Sequence, residues 1–556
     1  MKTLYRYRWV LIALLISLVF TYPYIVHEVS YEHDTFFHLS RIEGLAKAFA
    51  NQEFFPSIYF DKNNLYGYAS ALFYADFFLY PFALLYHFGL SLMNTYKLLL
   101  FFYTFLGNLL CVYFVKRFFN KNHLILLAMI LFTFATYRLT NVYVRGALQE
   151  IIAYSFMPLV LAGIYDYIYK GKWLVLSLGF TCLVLSHNIT FILSCYLFLV
   201  FILLHFKKLI VQKRWLPLTK AILLCVALTA FFTFGMIEQI TSQSFYFQTD
   251  NTANIQSSSL HIYQFFQNGL NFNVSLQDFL GMIVNPGLGL LLLPLSYFLL
   301  LDKPQDTTSN FVKQMMIIGY ILLFLQSSAI DLSIFKVFNF MQFTWRLNNL
   351  VCILLIVPSC MYLDCLCAKY PHIISFIIIL LLANSIWLLS KPLERTNILA
   401  NDLSYQQIID GEVIDPYYSA FYMRVELAGA DYLPNIYYDY KNEVYGIYNQ
   451  ENQLVSYPIA DYDKLYFEMN LHEDIIILPK TYYKGYVVVN EYGEQLSTNQ
   501  NVETGLVEVE LKGETGNFTL YYQRTRIQLI GIIISSLTLL GCILYSMKKL
   551  LTSKIN

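Results

Sequence analysis

The chain has 556 residues, 57% hydrophobic and only 13% charged, with mean hydropathy +0.50. That is a membrane composition and excludes an ordinary soluble globule. Formal net charge is zero, which excludes the electrostatic footprint of a nucleic-acid binder.

Hydrophobic runs of about 20 residues mark spanning helices. They fall near 9–27, 96–115, 123–140, 148–169, 173–187, 189–206, 216–237, 280–301, 312–330, 345–367, 372–390 and 526–546. The expected fold is therefore a polytopic α-helical membrane protein of about 12 transmembrane helices. The first run is long and has no small-residue cleavage site after it, so it reads as a retained anchor. Lys2, Arg6 and Arg8 place the N-terminus in the cytoplasm by the positive-inside rule. Lys116-Arg117, Lys170 and Lys172, Lys207-Lys208, Lys303, Lys369 and Lys548-Lys549 then fall inside as well, and the C-terminus is cytoplasmic.

That alternation requires residues 71–91 not to span. They belong instead to a large first outer loop, 28–95, with short amphipathic helices on the membrane surface. The expected domains are a transmembrane domain over 1–390, an extracytoplasmic β-rich domain over 391–525, and a last helix with a cytoplasmic tail over 526–556. Acidic residues outnumber basic ones roughly two to one in 391–525, which suits an outside location. Val444–Tyr448 and Leu454–Tyr457 flank a polar turn and read as a hairpin. Tyr486–Val489, Val507–Leu511 and Phe518–Tyr522 are further strands, and a small β-sandwich follows. None of the nine cysteines lies in this segment, so it is not a disulfide scaffold. Cys365 and Cys367 form only a CxC pair at a helix end, which reads as packing.

Ionisable groups at membrane depth are costly and mark functional sites by default. Here they gather toward one face. Glu32-His33-Asp34 follows the first span, and helical spacing puts Asp34, His38 and Arg41 on one side. A solvated interfacial cap explains these groups too. As chemistry, Asp34 takes a proton from an attacking hydroxyl, or ligates a divalent cation with His33 or His38. Arg145 and Glu150 stand at the mouth of a span, either as a structural pair or with Arg145 gripping a phosphate. His187 divides two short apolar segments, Glu238 closes a span at the same face, and Arg346 opens another. Each has a plain structural reading as a helix-end or snorkelling group. Together they suit a reaction on a lipid phosphate, with arginines neutralising the leaving group.

These stretches resemble a known family. An acidic motif in the first outer loop is the mark of GT-C membrane glycosyltransferases. The fuller pattern resembles their bacterial YfhO-like branch. It rests on His33–Leu45, Tyr66-Gly67-Tyr68, Phe73–Phe77, Arg145–Glu150, Leu185–Thr190, Gln342–Arg346, Asp431–Pro434 and Tyr482–Tyr486. The resemblance implies a polyprenyl-phosphate sugar as donor, an extracytoplasmic glycan or polymer as acceptor, and Asp34 in the catalytic position. Thr344 stands where the family usually shows Pro before Trp, and His33-Asp34 replaces a double acid, which leaves metal use open. Cell-envelope polymers such as teichoic acids are candidate acceptors. The functional expectation is an inverting sugar transferase in the cell membrane. A transporter or flippase of lipid-linked sugars and a polysaccharide assembly protein are the rivals; no repeat relates the two halves, as a transporter would often show.

Overall fold

The computed structural model describes residues 2–26, 34–63, 65–249, 255–261, 265, 307–366, 432–435 and 445–555, with scattered positions between 368 and 390. Eight helices among them are long and apolar enough to cross a membrane. They are Tyr7–Val26, Leu92–Val115, Asn122–Arg145, Leu148–Lys170, Trp215–Ser242, Thr308–Leu325, Thr344–Cys365 and Arg526–Lys549. The chain is a polytopic helical membrane protein with a C-terminal β region before its last helix.

The expected count of about 12 is not reached among the described residues. Leu174–Val184 and Asn188–Leu204 have 11 and 17 residues. At 1.5 Å per residue both fall short of a hydrocarbon core about 30 Å thick. The chain breaks between them because His187 adopts extended backbone (φ −143°, ψ 111°) and caps the second helix. The expected spans 280–301 and, in large part, 372–390 lie outside the described residues. Residues 71–91 hold only two short helices, Ser70–Phe73 and Tyr80–His87, and neither can cross. The third spanning helix runs further than its apolar pattern indicates. It continues through a π-helical turn, Asn141–Arg145, instead of releasing the chain into a loop at 141.

The chain divides into two compact units. The first comprises Met1–Leu39, Gly89–Cys225 and Thr252–Val413. Its helices approach closely where glycines allow it. A Cβ on Gly163 would lie 2.5 Å from the Leu176 Cα, and one on Gly179 would lie 3.1 Å from the Val160 backbone. Small residues at such crossings let dispersion act between backbones, which drives helix association in lipid.

The second unit comprises Ser40–Phe88, Val226–Asn251 and Ile414–Asn556. Its centre is a sandwich of two five-stranded antiparallel sheets. The strands are β1 (Ile447–Asn449), β2 (Leu454–Ser456), β3 (Ile459–Ala460), β4 (Lys464–Met469), β5 (Ile475–Thr481), β6 (Tyr486–Asn490), β7 (Gln495–Leu496), β8 (Thr498–Gln500), β9 (Leu506–Glu510) and β10 (Gly516–Tyr522). One sheet runs β2-β1-β5-β9-β8 and the other β3-β4-β10-β6-β7. Alternation sets the inner face: Leu465, Phe467 and Met469 point inward on β4, while Tyr466 and Glu468 point out. The expected hairpin is present as β1–β2, closed by Asn449 Oδ1 accepting from the Glu451 and Gln453 amides.

The middle of the first loop, Ser40–Phe88, belongs to this unit, while its two ends belong to the first. Ile58, Phe60, Ala69, Leu72 and Phe73 share one core with Ile476, Val488, Val507 and Phe518 of the sandwich. Burying those apolar side chains against a preformed sheet is what orders so long a connection. Most of 391–444, expected to open the β-rich domain, lies outside the described residues.

Candidate active site

The site begins with spacing along one helix. Tyr137, Asn141 and Arg145 recur every four residues and so share a face. The π-turn ends at Gly146, whose φ of 61° is the left-handed conformation glycine adopts without a Cβ penalty. After two residues the next helix starts at Leu148, with Glu150 in its first turn, where the helix dipole favours a carboxylate.

Glu150 is the hub. Its Oε2 accepts from Arg145 Nη1 at 2.7 Å and lies 3.7 Å from Arg346 Nε. Its Oε1 accepts from Asn349 Nδ2 at 2.6 Å and from the Tyr137 hydroxyl. The residue is 1% exposed. A buried carboxylate with so many donors is fully engaged, so its task is to anchor the two arginines. Arg145 Nη1 also donates to Asn141 Oδ1 at 2.7 Å. Arg346 Nη1 donates to the Met341 carbonyl at 3.0 Å and to Gln342 Oε1 at 2.7 Å. Among the described residues, every side-chain hydrogen bond of these two arginines runs through Nη1. An aromatic pair fixes both planes. Arg145 lies 4.6 Å over Trp345, Trp345 stacks on Phe343 at 4.7 Å and 10°, and Arg346 lies 5.2 Å from the Phe343 ring.

Asp34 meets this cluster through its backbone. Its N–H donates to the Arg145 carbonyl at 2.7 Å. Its side chain is half-buried and makes no hydrogen bond among the described residues. Burial raises its carboxyl above the ordinary range; Arg145 and then Arg346 pull the other way. His187 is buried beside Thr190, with Nδ1 2.8 Å from Thr190 Oγ1 and 3.3 Å from its backbone N. Thr190 Oγ1 in turn accepts from Asn349 Nδ2 at 3.2 Å.

Of the residues singled out in the sequence, the first unit thus gathers Asp34, Arg145, Glu150 and Arg346, with His187 linked through Thr190 and Asn349. Two others find structural partners within the second unit. Arg41 forms a buried ion pair with Asp76, donates to the Tyr74 and Ala75 carbonyls at 3.1 and 3.2 Å, and stacks on Tyr74. Asp76 also accepts from the Tyr59 hydroxyl at 2.8 Å. Glu238 accepts from the Thr525 hydroxyl and pairs with Lys484 Nζ at 3.2 Å. Arg41 and Glu238 each have a nearby opposite charge that compensates burial. His38 is buried with its ring 5.2 Å from Phe37. His33 lies outside the described residues.

Four contributors were not singled out: Tyr137, Asn141, Thr190 and Asn349. Tyr137 and Asn141 carry a readable signal, a polar stripe at four-residue spacing ending on Arg145. Asn349 follows Arg346 by three residues and Thr190 follows His187 by three, the same one-face spacing.

Among the described residues, no group of three or more His, Cys, Asp and Glu is placed to hold a metal ion. Glu150 is saturated, and Asp34 faces two guanidiniums.

No protein-family model matches the chain, and no curated protein matches it. The YfhO-like resemblance gains no support there. Among solved structures the chain is similar to the arabinofuranosyltransferase AftD from Mycobacteria, determined by single-particle cryo-EM, with TM-score 0.44 and 16% identity. The match covers 70% of this chain and 27% of that one, so this chain spans about a quarter of AftD's length.

Proposed function

We propose that this protein is a membrane glycosyltransferase that moves a sugar from a polyprenyl-phosphate donor to an acceptor hydroxyl on the extracytoplasmic side. The supporting observation is a half-buried carboxylate without hydrogen bonds among the described residues, Asp34, tied by its backbone to one of two arginines that share Glu150. The arrangement supplies one base and two fixed cations.

In the proposed reaction, Asp34 accepts the proton of the acceptor hydroxyl. The oxygen attacks the anomeric carbon, and the carbon–phosphate oxygen bond breaks with its electron pair on the phosphate. Arg145 and Arg346 stabilise the charge that grows there. A single displacement inverts the anomeric centre. The elevated carboxyl of Asp34 makes it a stronger base than a solvated carboxylate. The polyprenyl tail lies among apolar helices, and the acceptor is a cell-envelope glycan or polymer. In this reading both termini are cytoplasmic and the sandwich faces outward. A flippase needs a substrate path but no base, and Asp34 supports the transferase reading over that one.

The test is mass spectrometry of envelope polymers from cells with the wild-type chain, with Asp34→Asn and without the protein. A sugar added by the wild type and missing in the other two is expected. Full decoration with Asp34→Asn would count against the reading.

A further inference from the structure

Charge is unbalanced along one stretch of the first unit. Between Glu150 and Glu238 the sequence holds seven lysines and arginines and a single acid, Asp166. Asp166 is already engaged, by Arg117 Nη2 at 2.6 Å and Lys170 Nζ at 2.9 Å. The other six cations, Lys172, Lys207, Lys208, Lys213, Arg214 and Lys220, form no ion pair among the described residues.

Two of the six are held in place. The short helix Phe206–Val211 ends in a turn where Lys213 takes φ 50°, a left-handed conformation that costs a side chain energy. The turn brings the Arg214 N–H back to the Leu209 carbonyl at 2.9 Å. It also lays the guanidinium against Gly171, where a Cβ would lie 1.4 Å from Nη1. Gln212 Oε1 accepts from Arg214 Nε at 3.1 Å and from Nη2 at 3.0 Å. The Lys208 ammonium sits 4.0 Å over the Tyr169 ring, two residues before Gly171. Burial lowers the Lys208 ammonium below its ordinary range, and Arg214 pushes it the same way. The pair repel each other, and no carboxylate among the described residues opposes them.

Apolar side chains share the surface. Phe206, Ile210, Val211, Trp215 and Leu216 are 41% to 81% exposed. A soluble phosphate or nucleotide would satisfy the cations and leave these five in water. A zwitterionic lipid would cover the five and leave the cations uncompensated. An anionic lipid does both.

We propose that Lys208 and Arg214 form a headgroup site for an anionic phospholipid, with Phe206, Val211 and Trp215 entering the acyl layer beside it. Both cations donate charge-assisted hydrogen bonds to the phosphate, and the remaining lysines of the stretch add to the attraction. The site does not rest on the glycosyltransferase reading.

The experiment titrates the full chain in detergent with phosphatidylglycerol, phosphatidylcholine or inorganic phosphate, read by native mass spectrometry and thermal unfolding. Phosphatidylglycerol is expected to stay bound and raise the unfolding temperature, and the other two are not. Lys208→Gln with Arg214→Gln should weaken phosphatidylglycerol binding roughly thirtyfold, about fivefold for each cation removed. Lys208→Arg should bind like wild type, as should Lys548→Gln with Lys549→Gln at the end of the last helix. Undiminished binding in the first double variant overturns the proposal. So does an equal loss in the second, which would mean a general effect of net charge, or a match to phosphatidylglycerol by phosphatidylcholine or inorganic phosphate. A wild-type measurement decides the matter even if the first double variant misfolds. Brominated phosphatidylglycerol should quench the fluorescence of Trp215, taken as the difference from Trp215→Phe; no quenching there overturns the proposal.

Discussion

The backbone N–H of Asp34 donates to the carbonyl of Arg145 at 2.7 Å, across a sequence separation of 111 residues (145 minus 34). The proposed base and one proposed phosphate ligand are therefore positioned by a single peptide contact. That contact sits at the end of the π-turn, just before Gly146 in its left-handed conformation.

Gly146→Ala is expected to disturb the base without removing it. A Cβ at φ 61° costs about 1–2 kcal/mol. Relaxation that rotates the Arg145 carbonyl moves Asp34, whose N–H it accepts. Turnover should fall at least tenfold with little change in donor KM; steady-state kinetics in membranes check this. An unchanged kcat would detach the turn from the chemistry.

Asp34→Asn should trade activity for stability. General-base loss costs about 10²–10⁴ in rate. The native carboxyl titrates above its unfolded value, so the folded state binds more protons and stability declines as pH rises through that window. Removing the charge therefore leaves the protein as stable as wild type, or more so, at pH 7. Thermal unfolding in detergent reads the second half. Wild-type activity should also fall on acidification at a pH above the usual carboxylate range, because the base must be ionised.

Glu150→Gln should act in the opposite sense on folding. It leaves two buried guanidiniums facing each other with no carboxylate between them. Breaking a buried ion pair costs about 3–5 kcal/mol. Loss of thermal stability and of undecaprenyl phosphate binding together are expected; a stable, binding-competent Gln variant would show that the arginines have another anchor.

Lys480 in β5 gives a separate signature in the sandwich. Its Nζ donates to the Phe60 carbonyl at 3.1 Å and the Leu65 carbonyl at 2.5 Å, and it is fully buried. Burial pushes its ammonium down to about 7, against a smaller opposing pull from Asp61. Between that value and the unfolded one the unfolded chain binds more protons, so stability should rise with pH above 7, by at most about 1.4 kcal/mol per pH unit. Hydrogen exchange of the sandwich between pH 7 and 9 checks it, with Lys480→Met expected to flatten the trend.

Gly163→Leu probes the helix crossing. With the Leu176 Cα 2.5 Å from the position of a new Cβ, the two helices must separate. A loss of about 1–3 kcal/mol follows from overpacking, read as a lower unfolding temperature. Unaltered stability would mean the helices do not meet at that glycine.

Much of this was legible before folding. Apolar runs marked the helices, short runs rich in Val, Ile and Tyr marked β6, β9 and β10, and a polar turn marked the β1–β2 hairpin; β4 was not marked. These are local properties: a helix period or a pleat is written in neighbouring residues. So was the presence of acids, imidazoles and guanidiniums at helix ends. The choice among them was not. Arg41 and Arg145 look alike in sequence, each within five residues of a glutamate. Arg41 passes over Glu43 for Asp76, 35 residues on, and Arg145 keeps Glu150. Likewise Asn349 reaches Glu150 across 199 residues, and the first loop joins the sandwich core from some 400 residues away in the chain, as between Phe60 and Tyr486. A buried charge takes whichever partner the packing delivers at hydrogen-bonding distance, and that distance is set by the crossing of distant helices. The sequence by itself determined which side chains were available and which segments would be helix or strand; the tertiary structure alone decided which charges neutralise one another and which, like Asp34, have no side-chain hydrogen bond among the described residues.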